Sequence, residues 1–137
     1  IAVMLDEIGL ERTAISVIPT LDQHPLSEDP ADRQRSVEYL NGLVDCAAAL
    51  GAQGIGGPLH QTLGHFSGAG TTEAEFDRAR EVHTKVGDHA QANGQVIALE
   101  AVKKTKSIRL SRSGNGATRL FKQDRGSRCR FCSLKSK

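Results

Sequence analysis

Gln95-Val96-Ile97-Ala98-Leu99-Glu100 is the stretch whose reading decides the fold. Four apolar residues in a row, two of them β-branched and entered from Asn93-Gly94, predict a buried strand of a parallel sheet, and the run stops on a carboxylate. Loops beyond the carboxyl ends of parallel strands are where α/β folds place their ligands, so Glu100 marks a candidate active-site edge. The competing reading is a strand-end acid in water, which is a common surface feature.

Upstream of this strand, Thr72-Glu73-Ala74-Glu75 is a capping box, and Phe76, Ala79, Val82, Val86 and Ala90 mark the buried stripe of the helix it opens. Asn93-Gly94 ends that helix. His83 and His89 lie on or near it and are expected to be solvated or partly packed. Further back, Gly64 to Gly70 lacks the Gly-Lys-Ser/Thr ending of a phosphate loop, and its glycines do not match the dinucleotide fingerprint. Ala52 to Gly57 is a glycine-rich short strand leading into Pro58-Leu59-His60. Glycine removes packing atoms from a strand, so this density signals close approach of a backbone or a ligand.

Asp29-Pro30 starts another helix, with Asp29 as N-cap, proline at the first helical position and Asp32 near the positive end of the dipole. Val37, Leu40, Val44 and Ala47 carry its apolar stripe to Leu50-Gly51. Cys46 falls in this helix and reads as a small packing residue, with no neighbouring charge to activate a thiol. Thr13 to Ile18 is a β-rich run closed by Pro19. Ile1, Leu5 and Ile8 sit at helical spacing before Gly9, like the end of a helix.

The helix-ending glycines Gly9, Gly51 and Gly94 are spaced by 42 and 43 residues, and each is followed within a few residues by a strand. That is the rhythm of β/α units with a parallel sheet and right-handed crossovers. Three such units leave one sheet face uncovered, exposing on the order of eight apolar side chains worth roughly 1.5–3 kcal/mol each when buried. The fold therefore calls for more chain or for a partner, a second copy of the chain included.

At 137 residues, 38% hydrophobic and 4% aromatic, the chain has room for one small domain. No apolar run is long enough to span a bilayer and the opening residues lack the features of a signal peptide, so the expectation is a cytoplasmic protein without a membrane partner. Three cysteines, Cys46, Cys129 and Cys132, make no disulfide framework. The net charge of +2 conceals a division. Residues 1–100 carry six basic residues against fifteen acids, a net of −9, and the remainder carries twelve against one, a net of +11.

The ordered set Gly-Leu-Glu-Arg-Thr, Ser-Glu-Asp-Pro-Ala-Asp-Arg, Ala-Ala-Leu-Gly-Ala, Gly-Gly-Pro-Leu, Phe-Ser-Gly, Thr-Glu-Ala-Glu-Phe and Ala-Leu-Glu resembles the xylose-isomerase-like TIM-barrel sugar isomerases and epimerases. It is most similar to the ketose 3-epimerase branch, over about residues 5–102. The resemblance implies an α/β fold, a partial (β/α)8 barrel of about three β/α units corresponding to the second through fourth strands. It implies a ketose substrate and a divalent metal, Mn²⁺, Mg²⁺ or Co²⁺, bound by the glutamate that ends the fourth strand, which by position is Glu100. That residue is then both metal ligand and catalytic carboxylate. A hard carboxylate suits such a metal, and proton exchange next to a polarised carbonyl passes through a cis-enediolate. His60 falls where the family lines its sugar pocket and is a candidate substrate-binding residue; the other reading is an ordinary polar loop histidine.

The resemblance stops after Ala101-Val102. Where the family continues with Asn-Arg-Phe-Glu, this chain has Lys103-Lys104-Thr105-Lys106, and the family's other metal ligands, an aspartate, a histidine and a second glutamate, belong to later strands. The expectation is an incomplete, inactive fragment: a barrel-like domain over 1–102 and a basic, irregular tail over 103–137. Cys129 and Cys132 have the spacing of half a zinc site without a second pair. The abrupt change suggests a frameshift or a splicing artefact, which the coding DNA decides by showing an Asn-Arg-Phe-Glu equivalent in another frame after the Val102 codon. The alternative is a nucleic-acid protein, related to endonuclease IV within the same superfamily and using the basic tail, or a non-catalytic remnant. The acidic body disfavours a phosphate backbone.

Overall fold

A computed structural model describes residues 1–65 and 67–100, together with the strand stretches 108–112, 118–122 and 130–133. The first helix, α1 (Ala2–Glu7), buries none of its residues and is followed by Gly9 at φ +68°, the left-handed cap its sequence predicts. Strand β1 is Ala14–Ile15. After a short 3-10 turn at Leu21–Gln23, helix α2 (Pro30–Ala49) opens on Asp29, whose Oδ1 accepts the Ala31 N–H at 2.8 Å. Strand β2 (Ile55–Gly57) follows Gly51, which is at φ +67°. Helix α3 (Glu73–Ala92) opens on the capping box: Thr72 Oγ1 accepts from the Glu75 N–H, and Glu75 Oε2 accepts from the Thr72 N–H. Gly94 at φ +66° then leads to β3 (Ile97–Leu99).

The three strands form one parallel sheet in the order β1-β2-β3. Their register sorts the side chains into two faces. Ile55 pairs with Ala14 and Ile97, and Gly57 pairs with Leu99, on the face that meets the helices. Ile18, Ile55 and Leu99 there pack with Val37, Leu40, Val44 and Ala47 of α2 and with Phe76, Ala79, Val82, Val86 and Ala90 of α3. Every residue of both expected helical stripes is buried.

The opposite face is the row Ile15–Gly56–Ala98, with Ile15 82% exposed and Ala98 exposed. The strand expected to be buried is covered on one side only: Leu99 is buried while Val96 is 42% exposed. The open face is real, but its row is short and made of one isoleucine, a glycine and an alanine, so it exposes far less apolar surface than eight large side chains would. Cys46 is another correction. It lies on the exposed side of α2, out of the core.

Where an irregular tail is expected, the described stretches are strands. Ile108–Arg112 (β4), Thr118–Lys122 (β5) and Arg130–Ser133 (β6) form a second, antiparallel sheet in that order. Ile108 and Leu110 alternate with Arg109 and Ser111, a period-two pattern compatible with a strand despite the high charge. The boundary at 102/103, Lys103–Lys106 and Cys129 lie outside the described residues, as does Phe66 of the Phe-Ser-Gly motif.

Candidate active site

The carboxyl ends of the strands meet at Gly57. Its φ is +134°, and a Cβ on it would lie 2.0 Å from the Ser16 carbonyl oxygen at the end of β1. Its own carbonyl accepts two N–H groups, from Leu59 at 2.8 Å and from Glu100 at 2.9 Å. At the other end of β2, a Cβ on Gly54 would lie 2.7 Å from the Val96 carbonyl oxygen. The glycine-rich stretch therefore marks close approach of backbone to backbone, strand against strand.

Glu100 stands one residue beyond β3 with its N–H fixed to Gly57 and its side chain exposed. His60 stands three residues beyond β2 and is only 2% exposed. Neither of its ring nitrogens has a hydrogen-bond partner among the described residues. Both candidates share the carboxyl edge, but one is open to solvent and the other enclosed, and no hydrogen bond joins them.

The sequence reading missed the company His60 keeps. His83, expected to be solvated or partly packed, is 2% exposed on the inner side of α3, with Nε2 unpartnered. His24, in the loop after β1, is half-buried; its ring meets that of exposed His65 edge-on, with centroids 5.3 Å apart. Burial lowers the pKa of His24, and the neighbouring His65 adds to the effect. Burial holds His60 at about 4 with His24 contributing, and holds His83 at about 3 with His60 contributing. The imidazoles of His60 and His83 are consequently neutral at physiological pH, each offering one donor and one acceptor.

The amino ends of the strands carry a different arrangement. Arg12, just before β1, donates to the Ala2 carbonyl at 2.9 Å and to the Asp6 carboxylate, and lies over Gly51. It tethers α1 to the strand and lines a cleft with Asp6, Gly9, Leu10, Glu11, Gly51 and Gln53, at the far end of the sheet from Glu100.

Parallel strands alternating with helices, with ligand-type residues beyond the carboxyl ends, define a sector of a β/α barrel wall, whose helix-free face is the barrel interior. The family model of the xylose isomerase-like TIM barrel matches residues 1–132, and the chain belongs to that family. The match runs past residue 102, where the residue-by-residue resemblance ends. An L-ribulose 3-epimerase superposes with a TM-score of 0.70 at 27% identity, covering 75% of this chain and 34% of that one. A D-allulose 3-epimerase from Methylomonas sp., solved in complex with D-allulose, gives 0.68 at 23% identity, covering 75% and 35%. D-psicose 3-epimerase from Clostridium cellulolyticum H10, solved with D-tagatose, gives 0.65 at 22%, covering 74% and 35%. No curated protein matches. The chain thus spans about a third of the length of these structural neighbours. Among the described residues, no helix is long and apolar enough to cross a membrane.

Proposed function

We propose that residues 1–100 supply one sector of the active site of a sugar isomerase or epimerase acting on a free ketose. The reaction class is proton transfer at the carbon next to the carbonyl, through a cis-enediolate, as in a ketose 3-epimerase. The observation that carries this reading is Glu100: an exposed carboxylate at the carboxyl end of a barrel strand, its backbone anchored to Gly57. In this reading Glu100 removes or returns the proton on one face of the sugar, and a second carboxylate from outside the described residues serves the opposite face. His60 is the substrate-binding residue of this reading; it is enclosed, so it would meet a hydroxyl of the sugar only once the Pro58–Thr62 loop that carries it shifts. A buried polar group left without a partner costs on the order of 1–3 kcal/mol, so a ligand hydroxyl on one of its nitrogens would be favoured. The sugars of the three neighbours, L-ribulose, D-allulose and D-tagatose, support a ketopentose or ketohexose as the substrate class.

A divalent metal, Mn²⁺, Mg²⁺ or Co²⁺, belongs to this reading through the family, with Glu100 as one ligand. The described residues contain no group of three or more His, Cys, Asp or Glu side chains that could hold an ion. They do not by themselves fit the metal. The chain alone is accordingly inactive in this proposal, and the change of character after residue 102 marks where its barrel-like domain gives way to the basic segment.

The test uses two samples supplied with Mn²⁺, each given D-fructose, D-tagatose, D-allulose and L-ribulose. The 137-residue chain should convert none of them. A chimera in which residues 1–100 replace the matching sector of the L-ribulose 3-epimerase should epimerise, and its Glu100→Gln variant should not. A folded chimera without activity, or a Glu100→Gln chimera as active as its parent, would sink the assignment.

A further inference from the structure

Pro58 to Thr62 is a loop with neither helix nor strand before its last residue, yet each of its residues is buried. It is held from one side. Thr62 makes an isolated parallel bridge with Ile18, and the Leu63 N–H donates to the Ile18 carbonyl at 2.9 Å. The Thr62 hydroxyl donates to the Thr20 carbonyl at 3.0 Å, and the Thr62 N–H donates to His24 Nδ1 at 3.1 Å. The loops beyond β1 and β2 are therefore joined through the ring of a titratable residue.

A backbone N–H is always a donor, so this bond requires a bare Nδ1. The hydrogen-bond network assigns the neutral His24 ring its proton on Nε2. A proton on Nδ1 would put two donors against each other and break the bond from the Thr62 N–H; Nδ1 also lies 3.1 Å from the Thr62 hydroxyl, whose oxygen can accept that proton while the hydroxyl still donates to Thr20.

We propose that His24 is a proton-operated latch: a positioning residue that holds the Thr62 end of the Pro58–Thr62 loop, and His60 with it, against the carboxyl edge of the sheet through the Thr62 N–H while its ring is neutral, and gives up that N–H for the Thr62 hydroxyl when Nδ1 is protonated. The groups that face the ring come from each element around it. They are His65 from the loop beyond β2, Glu75 and Arg78 from α3, and Asp32 from α2, with His60 behind. Burial, His65 and Arg78 resist the proton, and Glu75 and Asp32 favour it. The balance lies below an ordinary histidine, so the latch is closed at neutral pH and opens in acid. This device concerns the loops alone and goes beyond the sugar chemistry, which can fail without it.

The full chain, labelled with ¹⁵N, tests it by NMR. At neutral pH the His24 ring should be the Nε2–H tautomer. On acidification the Thr62 amide should lose about tenfold or more of its exchange protection relative to the Ile55 amide, whose N–H donates to the Val96 carbonyl within the sheet. His24→Asn keeps an acceptor near the Nδ1 position and does not titrate, so it should keep Thr62 protected in acid. A Nδ1–H tautomer, equal loss of protection at Thr62 and Ile55, or a His24→Asn variant that loses Thr62 protection like the parent would overturn the latch. If that variant does not fold, the tautomer and the two-amide comparison in the parent chain decide.

Discussion

The two faces of the parallel sheet share strands, sequence neighbours and hydrogen bonds, yet they have opposite surroundings. On the helix side, Leu40, Val44, Val82 and Val86 are each at most 2% exposed, and even two histidines have been taken out of water. On the other side, Ile15 is 82% exposed beside Gly56 and Ala98. The difference teaches that β/α packing is local and can be complete in a sector: two helices and three short strands close their own core without the rest of a barrel. The interior face has no such self-sufficiency, since its neighbours are strands further along the sheet.

This contrast can be broken most sharply at Leu40. Leu40→Ala should lower stability by roughly 2–5 kcal/mol in urea unfolding, because it removes a fully buried side chain from the core between the helices and the sheet. Gly57→Ala should cost roughly 1–3 kcal/mol for the backbone conformation alone, with the Ser16 contact adding to it, and a thermal melt would read both together.

A milder handle is pH. His60 and His83 have folded pKa values of about 4 and about 3, beneath the ordinary histidine value of roughly 6.5 expected in the unfolded chain. The unfolded chain therefore takes up protons first. Stability is full above the unfolded value and is lost as pH falls toward the folded ones, with an uptake on unfolding of up to about two protons from this pair. Urea melts between neutral pH and pH of about 4 should show the decline, and His83→Gln should flatten it. The smallest effect belongs to the open face: Ile15→Thr should change stability by no more than about 0.5 kcal/mol. A larger loss there would mean that Ile15 is covered in solution, and sedimentation would then show whether a second copy covers it.

Much of this contrast was legible in the residue order. Gly9, Gly51 and Gly94 all take positive φ where helices end, Asp29 and the Thr72–Glu75 box cap as their chemistry requires, and both apolar stripes face inward. At two positions the spacing along the helix is a better guide than the residue's chemistry. His83 lies four residues after Ala79 and three before Val86, squarely on the stripe, and is buried there. Cys46 lies two residues after Val44, across the helix from it, and is exposed. The burial of His60 had no such local signal. It comes from a loop folded under His24, a contact between residues 38 apart at its Thr62 end, which no periodicity reports. Glu100 was legible as the end of a strand, whereas its tie to Gly57 depends on the register between β2 and β3.

Gly57 carries a lesson about mutational drift. Its missing side chain leaves room for the Ser16 carbonyl, and its own carbonyl anchors both Leu59 and Glu100. Any other residue would be selected against at this position whatever the edge of the sheet does for a living, including nothing. A relative that keeps glycine here reports that three strand ends still converge, and a relative that loses it has re-routed the backbone that carries its glutamate.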